Sequence, residues 1–200
     1  MKKIILITAA VLCVCVVPVY AVPADMVLVP GGWFPYQNTT PQIFVETFLI
    51  DKYETTNESY CQFLNEADSN SEHWTSDMEI VRAGNQPPYS YNVKDGNENY
   101  PIRYVNIYDA NAYAQWRSTV EGATYRLPNE QEWEKAAAWD PVQQRYYLYA
   151  FQMDTIDCNW CNYNGCYGGT LPVGSFNGTG SKNDAKSYYG CYDMSGNVWE

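Results

Sequence analysis

A mixed α+β fold with low regular secondary structure, two to three helices and short strands, is predicted from three observations. Helix-start signals stand at three places, each a Thr or Asn followed three residues later by an acid: Thr55 with Glu58, Asn106 with Asp109, and Asn129 with Glu132. The runs that read as strands are short and are bounded by Pro or Gly. Beyond Trp139 no period holds, and loops rich in Gly, Asn and Tyr follow. With 19 Tyr and 7 Trp, such a chain buries amphipathic rings whose polar tips need partners.

Taken in order, Met26–Val29 reads as a strand stopped by Pro30, Gly31 and Gly32. Residues 43–50 read as a second, with Phe44, Phe48 and Ile50 on one face by period two. The box Thr55-x-x-Glu58 opens a first helix in which Tyr60, Phe63 and Leu64 follow the i, i+3, i+4 spacing, and which ends near residues 65–68. Residues 69–99 are polar and turn-rich, with Pro87-Pro88 and Asp95-Gly96, and read as an excursion with little regular structure. Residues 102–105 read as a strand. Asn106-x-x-Asp109 then opens a second helix that lines up Ala110, Tyr113, Ala114 and Arg117 and stops at Gly122. After a short extended piece at 124–127, Asn129-x-x-Glu132 caps a third helix burying Trp133, Ala136 and Ala137.

Lys2 and Lys3 precede an apolar run over residues 4–19, and Val19-Tyr20-Ala21 places small residues where a signal peptidase would cut. Residues 1–21 are therefore expected to be a signal peptide directing a secreted or periplasmic protein, and 22–200 one domain, with no membrane contact after cleavage. The apolar run is short for the roughly 20 residues that span a bilayer. Of the chain's 12 basic residues, removing Lys2 and Lys3 leaves 10 against 23 acidic ones, a formal charge of −13. That balance argues against a nucleic-acid partner. It suits a hard cation such as calcium, and equally the solubility of an exported protein.

After the signal the cysteines are Cys61, Cys158, Cys161, Cys166 and Cys191. In an oxidising compartment they read as disulfides or structural thiols; Cys158, Cys161 and Cys166 as a zinc site is the alternative, although zinc wants four ligands at paired spacing. The single histidine, His73, lies in a polar run. A Ser-His-Asp hydrolase would have to rest on it, and a centre built on several histidines cannot be assembled. Asn38, Asn57 and Asn177 open glycosylation sequons.

Six stretches in fixed order span the chain from Met26: Met26-Val-Leu-Val-Pro-Gly-Gly, Tyr53-Glu-Thr-Thr-Asn-Glu, Asn106-x-x-Asp-Ala, Tyr125-Arg-Leu-Pro-Asn-Glu-Gln-Glu-Trp-Glu-Lys-Ala-Ala, Pro172-Val-Gly-Ser-Phe and Gly196-Asn-Val-Trp-Glu. Together they resemble the sulfatase-modifying-factor family, whose founding activity is formylglycine generation. The resemblance implies a C-type-lectin-like sulfatase-modifying-factor fold with bound calcium. It implies one calcium held by side-chain oxygen of Asp193 and Glu200 and by the carbonyls of Gly196 and Val198. Calcium takes six to eight oxygens, and glycine lets the backbone turn a carbonyl inward. A second calcium maps to Asn162 and Tyr163, but Asn164, Gly165 and Cys166 stand where an acid is expected.

The family's enzymes hold copper(I) on two cysteines and oxidise a sulfatase cysteine to formylglycine. None of the five cysteines after the signal matches those positions, so no catalytic residue is carried over. Copper is implied only if a C-terminal part beyond residue 200 supplies the pair, and the chain is expected to be a C-terminally incomplete fragment. A sulfatase or another exported protein is the implied partner. The alternative is a non-catalytic, calcium-stabilised lectin-like binding module. Arg126 reads as a structural ion pair or carbonyl clamp, Trp133 and Trp199 as core aromatics, and Glu130, Glu132 and Glu134 as capping or solvated acids.

Overall fold

A computed structural model describes residues 22–200. The expected signal peptide lies outside the described residues. No helix among them is long and apolar enough to cross a membrane.

Strands β1 (Met26–Val29), β2 (Gly32–Phe34), β3 (Ile43–Val45) and β4 (Phe48–Asp51) form two antiparallel ladders, β1 with β4 and β2 with β3. Both ladders keep one register, from Met26 opposite Asp51 to Phe34 opposite Ile43. They are one hairpin interrupted where Pro30 offers no N–H and where Thr47 Oγ1 accepts the Gly31 N–H at 2.8 Å. The interruption corrects the single strand expected over 43–50. Alternation flips across Glu46 and Thr47, so Val45 is buried while Phe44 is exposed beside Trp33.

Helix α1 (Asn57–Ala67) starts one residue later than its box suggests, because Thr56 rather than Thr55 accepts the Ser59 N–H. Tyr60, Phe63 and Leu64 face a core shared with Met78, Ile80 and Tyr91. Ile80 and Tyr91 belong to a hairpin absent from the sequence reading: β5 (Ile80–Ala83) pairs antiparallel with β6 (Ser90–Val93). Packing makes these strands from a polar run. Arg82 sits 4.5 Å above the Trp74 ring and 4.2 Å above Tyr89, and the Asn65 amide exchanges two 2.9 Å bonds with the Tyr91 backbone. The strand expected at 102–105 does not form; the chain there makes only the bridge of Pro101 to Thr56.

Helices α2 (Ile107–Glu121) and α3 (Glu130–Ala138) both open on complete capping boxes at the expected Asn106 and Asn129, and Gly122 closes α2 at φ +67°. Lys135 of α3 is 2% exposed. Its ammonium donates to the carbonyls of Pro30 at 2.7 Å and Gly32 at 3.2 Å, tying α3 to the first hairpin. After β7 (Trp139–Asp140) and its partner β8 (Arg145–Tyr146) the described chain holds no further strand or helix. A cluster of Phe151, Cys161, Phe176 and Ala185 supports these loops, and a disulfide joins Cys158 to Cys166. The fold class is as expected: α+β, with three helices, short antiparallel strands and a long irregular tail.

Candidate functional site

The terminal loop is shaped by residues that accept positive φ. Asp193, Gly196 and Asn197 lie at +60°, +96° and +62°, which Asp and Asn tolerate and Gly adopts freely. At Gly196 a close approach adds to this: a Cβ would stand 2.6 Å from the Asn162 carbonyl oxygen. That same oxygen accepts the Asn197 N–H at 2.8 Å. The two calcium stretches expected separately are thus brought into one contact.

Asn197 is the hub. Its Nδ2 donates to Glu54 Oε2 at 2.7 Å and to the Leu171 carbonyl at 3.1 Å, and its Oδ1 accepts the Leu171 N–H at 2.8 Å. Asn162 Nδ2 reaches that Oδ1 at 3.2 Å and the Gly169 carbonyl at 2.7 Å. Neither Asn197 nor Glu54 was singled out from the sequence. Both stand in the quoted motifs, but nothing local shows that residues so far apart meet.

Around this hub stand Glu54 and Asp193, half-buried, and Glu200, whose residue is exposed at the rim; loss of water around the carboxyl raises the pKa of each, most clearly for Glu54. Glu54 is pushed to about 9, by burial first and then by the negative charge of Asp193. Its Oε1 is buried without a hydrogen bond. Asp193 Oδ2 accepts the Gly174 N–H at 2.6 Å, and Glu200 Oε2 accepts the Trp133 indole N–H at 2.5 Å. Their other oxygens make no hydrogen bond among the described residues. Taking a carboxylate out of water without a counter-charge is unfavourable. Among the described residues no three His, Cys, Asp or Glu side chains converge as a metal cluster; a cation in the loop would need the backbone carbonyls of Gly196 and Val198 as well.

The second expected calcium position fits less well. The Asn162 amide is committed to Gly169 and Asn197, the Tyr163 hydroxyl donates to the Ile156 carbonyl at 3.4 Å, and in place of an acid the loop has Cys166 bonded to Cys158. That disulfide also removes the zinc alternative. Copper(I) held by paired thiolates does not fit either. Cys61, Cys161 and Cys191 are buried in three different clusters. Burial raises all three thiols, Cys161 to about 11 and Cys191 to about 12, which removes the thiolate that binds metal.

Arg126 is the structural clamp expected of it, bidentate to Glu132 at 2.7 and 2.6 Å and bonded to the Leu127 carbonyl. Trp133 is half-buried, but Trp199 is fully exposed, which corrects its assignment to the core. His73 Nδ1 pairs with the buried Asp109 at 2.9 Å, far from this loop in sequence.

Over residues 18–200 the chain matches the family described as "Sulfatase-modifying factor enzyme 1-like domain". It is 29% identical to a hercynine oxygenase of Mycolicibacterium smegmatis over 205 residues, which cover 90% of this chain and 45% of that one. It is 28% identical to the formylglycine-generating enzyme of Thermomonospora curvata over 221 residues, 88% of this chain and 69% of that enzyme. Among solved structures, CarF superposes with a TM-score of 0.58 at 21% identity, covering 89% of this chain and 79% of CarF. The chain spans less than half the length of the hercynine oxygenases it matches.

Proposed function

The chain belongs to the sulfatase-modifying factor enzyme 1-like family, and from that premise we propose that it is an exported formylglycine-generating-enzyme-like domain whose terminal loop closes around a structural calcium ion. Asp193 and Glu200 would contribute side-chain oxygens, and Gly196 and Val198 carbonyl oxygens. The observation that supports this reading is the approach of three acids, Glu54, Asp193 and Glu200, to the loop that Asn197 pins to Glu54, with Glu54 Oε1 buried and without a hydrogen bond. Bound there, the ion would supply the positive charge that protons otherwise provide.

This chain's own residues hold and orient the loop. Asn197 fixes it to Glu54 and Leu171, the Asn162 carbonyl anchors it from behind, and Trp133 steers Glu200. The described cysteines do not fit copper. Oxidation of a cysteine in a sulfatase or another exported protein would need a thiolate pair from a further segment. Burial of all three free thiols favours the second reading for residues 22–200 taken alone: a non-catalytic, calcium-stabilised lectin-like module.

Thermal unfolding with excess calcium and with excess chelator tests the loop. Calcium at 100 times its dissociation constant should add about 2.7 kcal/mol, and Asp193→Ala should abolish the shift. An unfolding temperature indifferent to calcium would refute the assignment.

A further inference from the structure

The chain contains two Asn-Gly pairs, Asn164-Gly165 and Asn177-Gly178. In such a pair the asparagine side-chain amide lies open to attack by the next backbone nitrogen, because glycine has no Cβ to shield that nitrogen or restrict its approach. All four residues are exposed, so access does not separate the two pairs. Their hydrogen bonds do.

Asn177 and Gly178 are held on both sides of the reacting bond. The Gly178 N–H donates to the Asn183 carbonyl at 3.2 Å, and Asn177 forms a bridge with Asp184. Asn177 Oδ1 accepts the N–H and the hydroxyl of Thr179, at 3.1 and 2.6 Å. The other pair is held only from outside, where the Cys166 N–H donates to the Tyr163 carbonyl at 3.0 Å. Asn164 and Gly165 lie at φ +46° and +78°, as the two central residues of a type I′ turn require. The Gly165 N–H donates to no backbone carbonyl among the described residues. The disulfide between Cys158 and Cys166 closes this segment into its own covalent loop.

We propose that Asn164 is a site of spontaneous deamidation, an ageing mark that gives the 158–166 loop a carboxylate with time. Loss of the Gly165 amide proton to hydroxide lets that nitrogen bond to Asn164 Cγ, and the side-chain nitrogen leaves as ammonia. Water then opens the resulting succinimide at either carbonyl, giving aspartate or isoaspartate with no change of oxidation state. Either product adds a negative charge. Isoaspartate also lengthens the backbone of the turn by one carbon, which disrupts the bond from Cys166 to Tyr163. Asn162, two residues upstream, supplies the carbonyl that accepts the Asn197 N–H at 2.8 Å and an amide that donates to the Gly169 carbonyl at 2.7 Å. The change is therefore felt directly behind the terminal loop.

The test is to age the folded, disulfide-bonded protein at mildly alkaline pH, with tandem mass spectrometry locating each amide-to-acid conversion and an isoaspartyl methyltransferase labelling the isoaspartate. Conversion at Asn164 should run about fivefold or more faster than at Asn177, where hydrogen bonds must open before attack. In concentrated guanidinium the two pairs should react at similar rates, because the unfolded chain keeps neither arrangement. The comparison needs no variant. Aged protein should also lose amide-exchange protection at Cys166, whereas Asn164→Asp, which carries the charge without the extra backbone carbon, should keep it. Equal or faster conversion at Asn177 in the folded protein, or an Asn164 that stays unconverted, would overturn the site. The same preference for Asn164 in guanidinium would assign it to neighbouring sequence and overturn the role of the turn.

Discussion

Residues 26–140 and residues 141–200 are stabilised by different means. In the first stretch the backbone largely satisfies itself: three capped helices, two interrupted ladders of one hairpin, and the β5–β6 hairpin. In the second, side chains stand in for the missing ladders. Asp154 accepts the Leu148 N–H, Ser195 accepts that of Ala150, and Asn197 serves both backbone groups of Leu171. A helix distributes its stability over many equivalent bonds, whereas this loop lattice concentrates it in a few residues. Single substitutions should therefore cost more in the loops than in the helices.

Gly196→Ala should be the most damaging. The new Cβ would need to overlap the Asn162 carbonyl at 2.6 Å, at a φ of +96° that alanine resists. A loss of about 3 kcal/mol or more is expected in urea unfolding. A loss below that of a helix-cap substitution would show that the Asn162 contact gives way freely, and the comparison would fail at its strongest point.

Reducing the disulfide between Cys158 and Cys166 removes a crosslink from the same lattice. The chain-entropy argument for so short a loop gives roughly 2–3 kcal/mol. The check is the unfolding midpoint of Cys158→Ser/Cys166→Ser, with amide exchange recorded at Asn162 and Gly169. The expected pattern is lost protection in residues 158–170 with α1 unchanged.

The pH response separates the two stretches without mutation. Glu54, Asp193 and Glu200 titrate above their ordinary values when folded. The folded state therefore binds protons more tightly than the unfolded chain, and stability falls as pH rises through that window. For Glu54 the window runs from the ordinary 4.5 to about 9. In metal-free buffer the unfolding midpoint should drop between pH 5 and pH 9, Glu54→Gln should flatten the drop, and saturating calcium should reduce it. A midpoint rising with pH would contradict the raised folded-state values of these carboxyls.

The same contrast explains what could be read from the sequence. Helices α2 and α3 were legible to the residue because Asn106 and Asn129 meet their partners three residues on. The β5–β6 hairpin was not, because Ile80 and Tyr91 are made strand-like by distant packing against Phe63 and Leu64. In the loop, Asp193 and Gly196 could be found through a resemblance, but the centrality of Asn197 depends on Glu54, 143 residues away. Local signals report local bonds, and the site is built from long-range ones.

The smallest prediction settles a one-residue question about α1. Thr55 and Thr56 are both plausible caps by type, and the box spacing to Glu58 selected Thr55. In the structure Thr56 is extended at φ −85° and ψ 160°, and its Oγ1 accepts the Ser59 N–H at 3.2 Å. Thr55 meets its neighbours through its backbone carbonyl, which accepts the Ile102 N–H. Alanine at 56 should thus leave an N-terminal amide of the helix without its side-chain partner and cost about 1 kcal/mol. Alanine at 55 removes no hydrogen bond that the structure shows and should stay within about 0.5 kcal/mol of the parent. Measured side by side with Gly196→Ala, the pair sets the scale of a regular element against the loop lattice. A cost at 55 equal to that at 56 would restore the box that the sequence suggested.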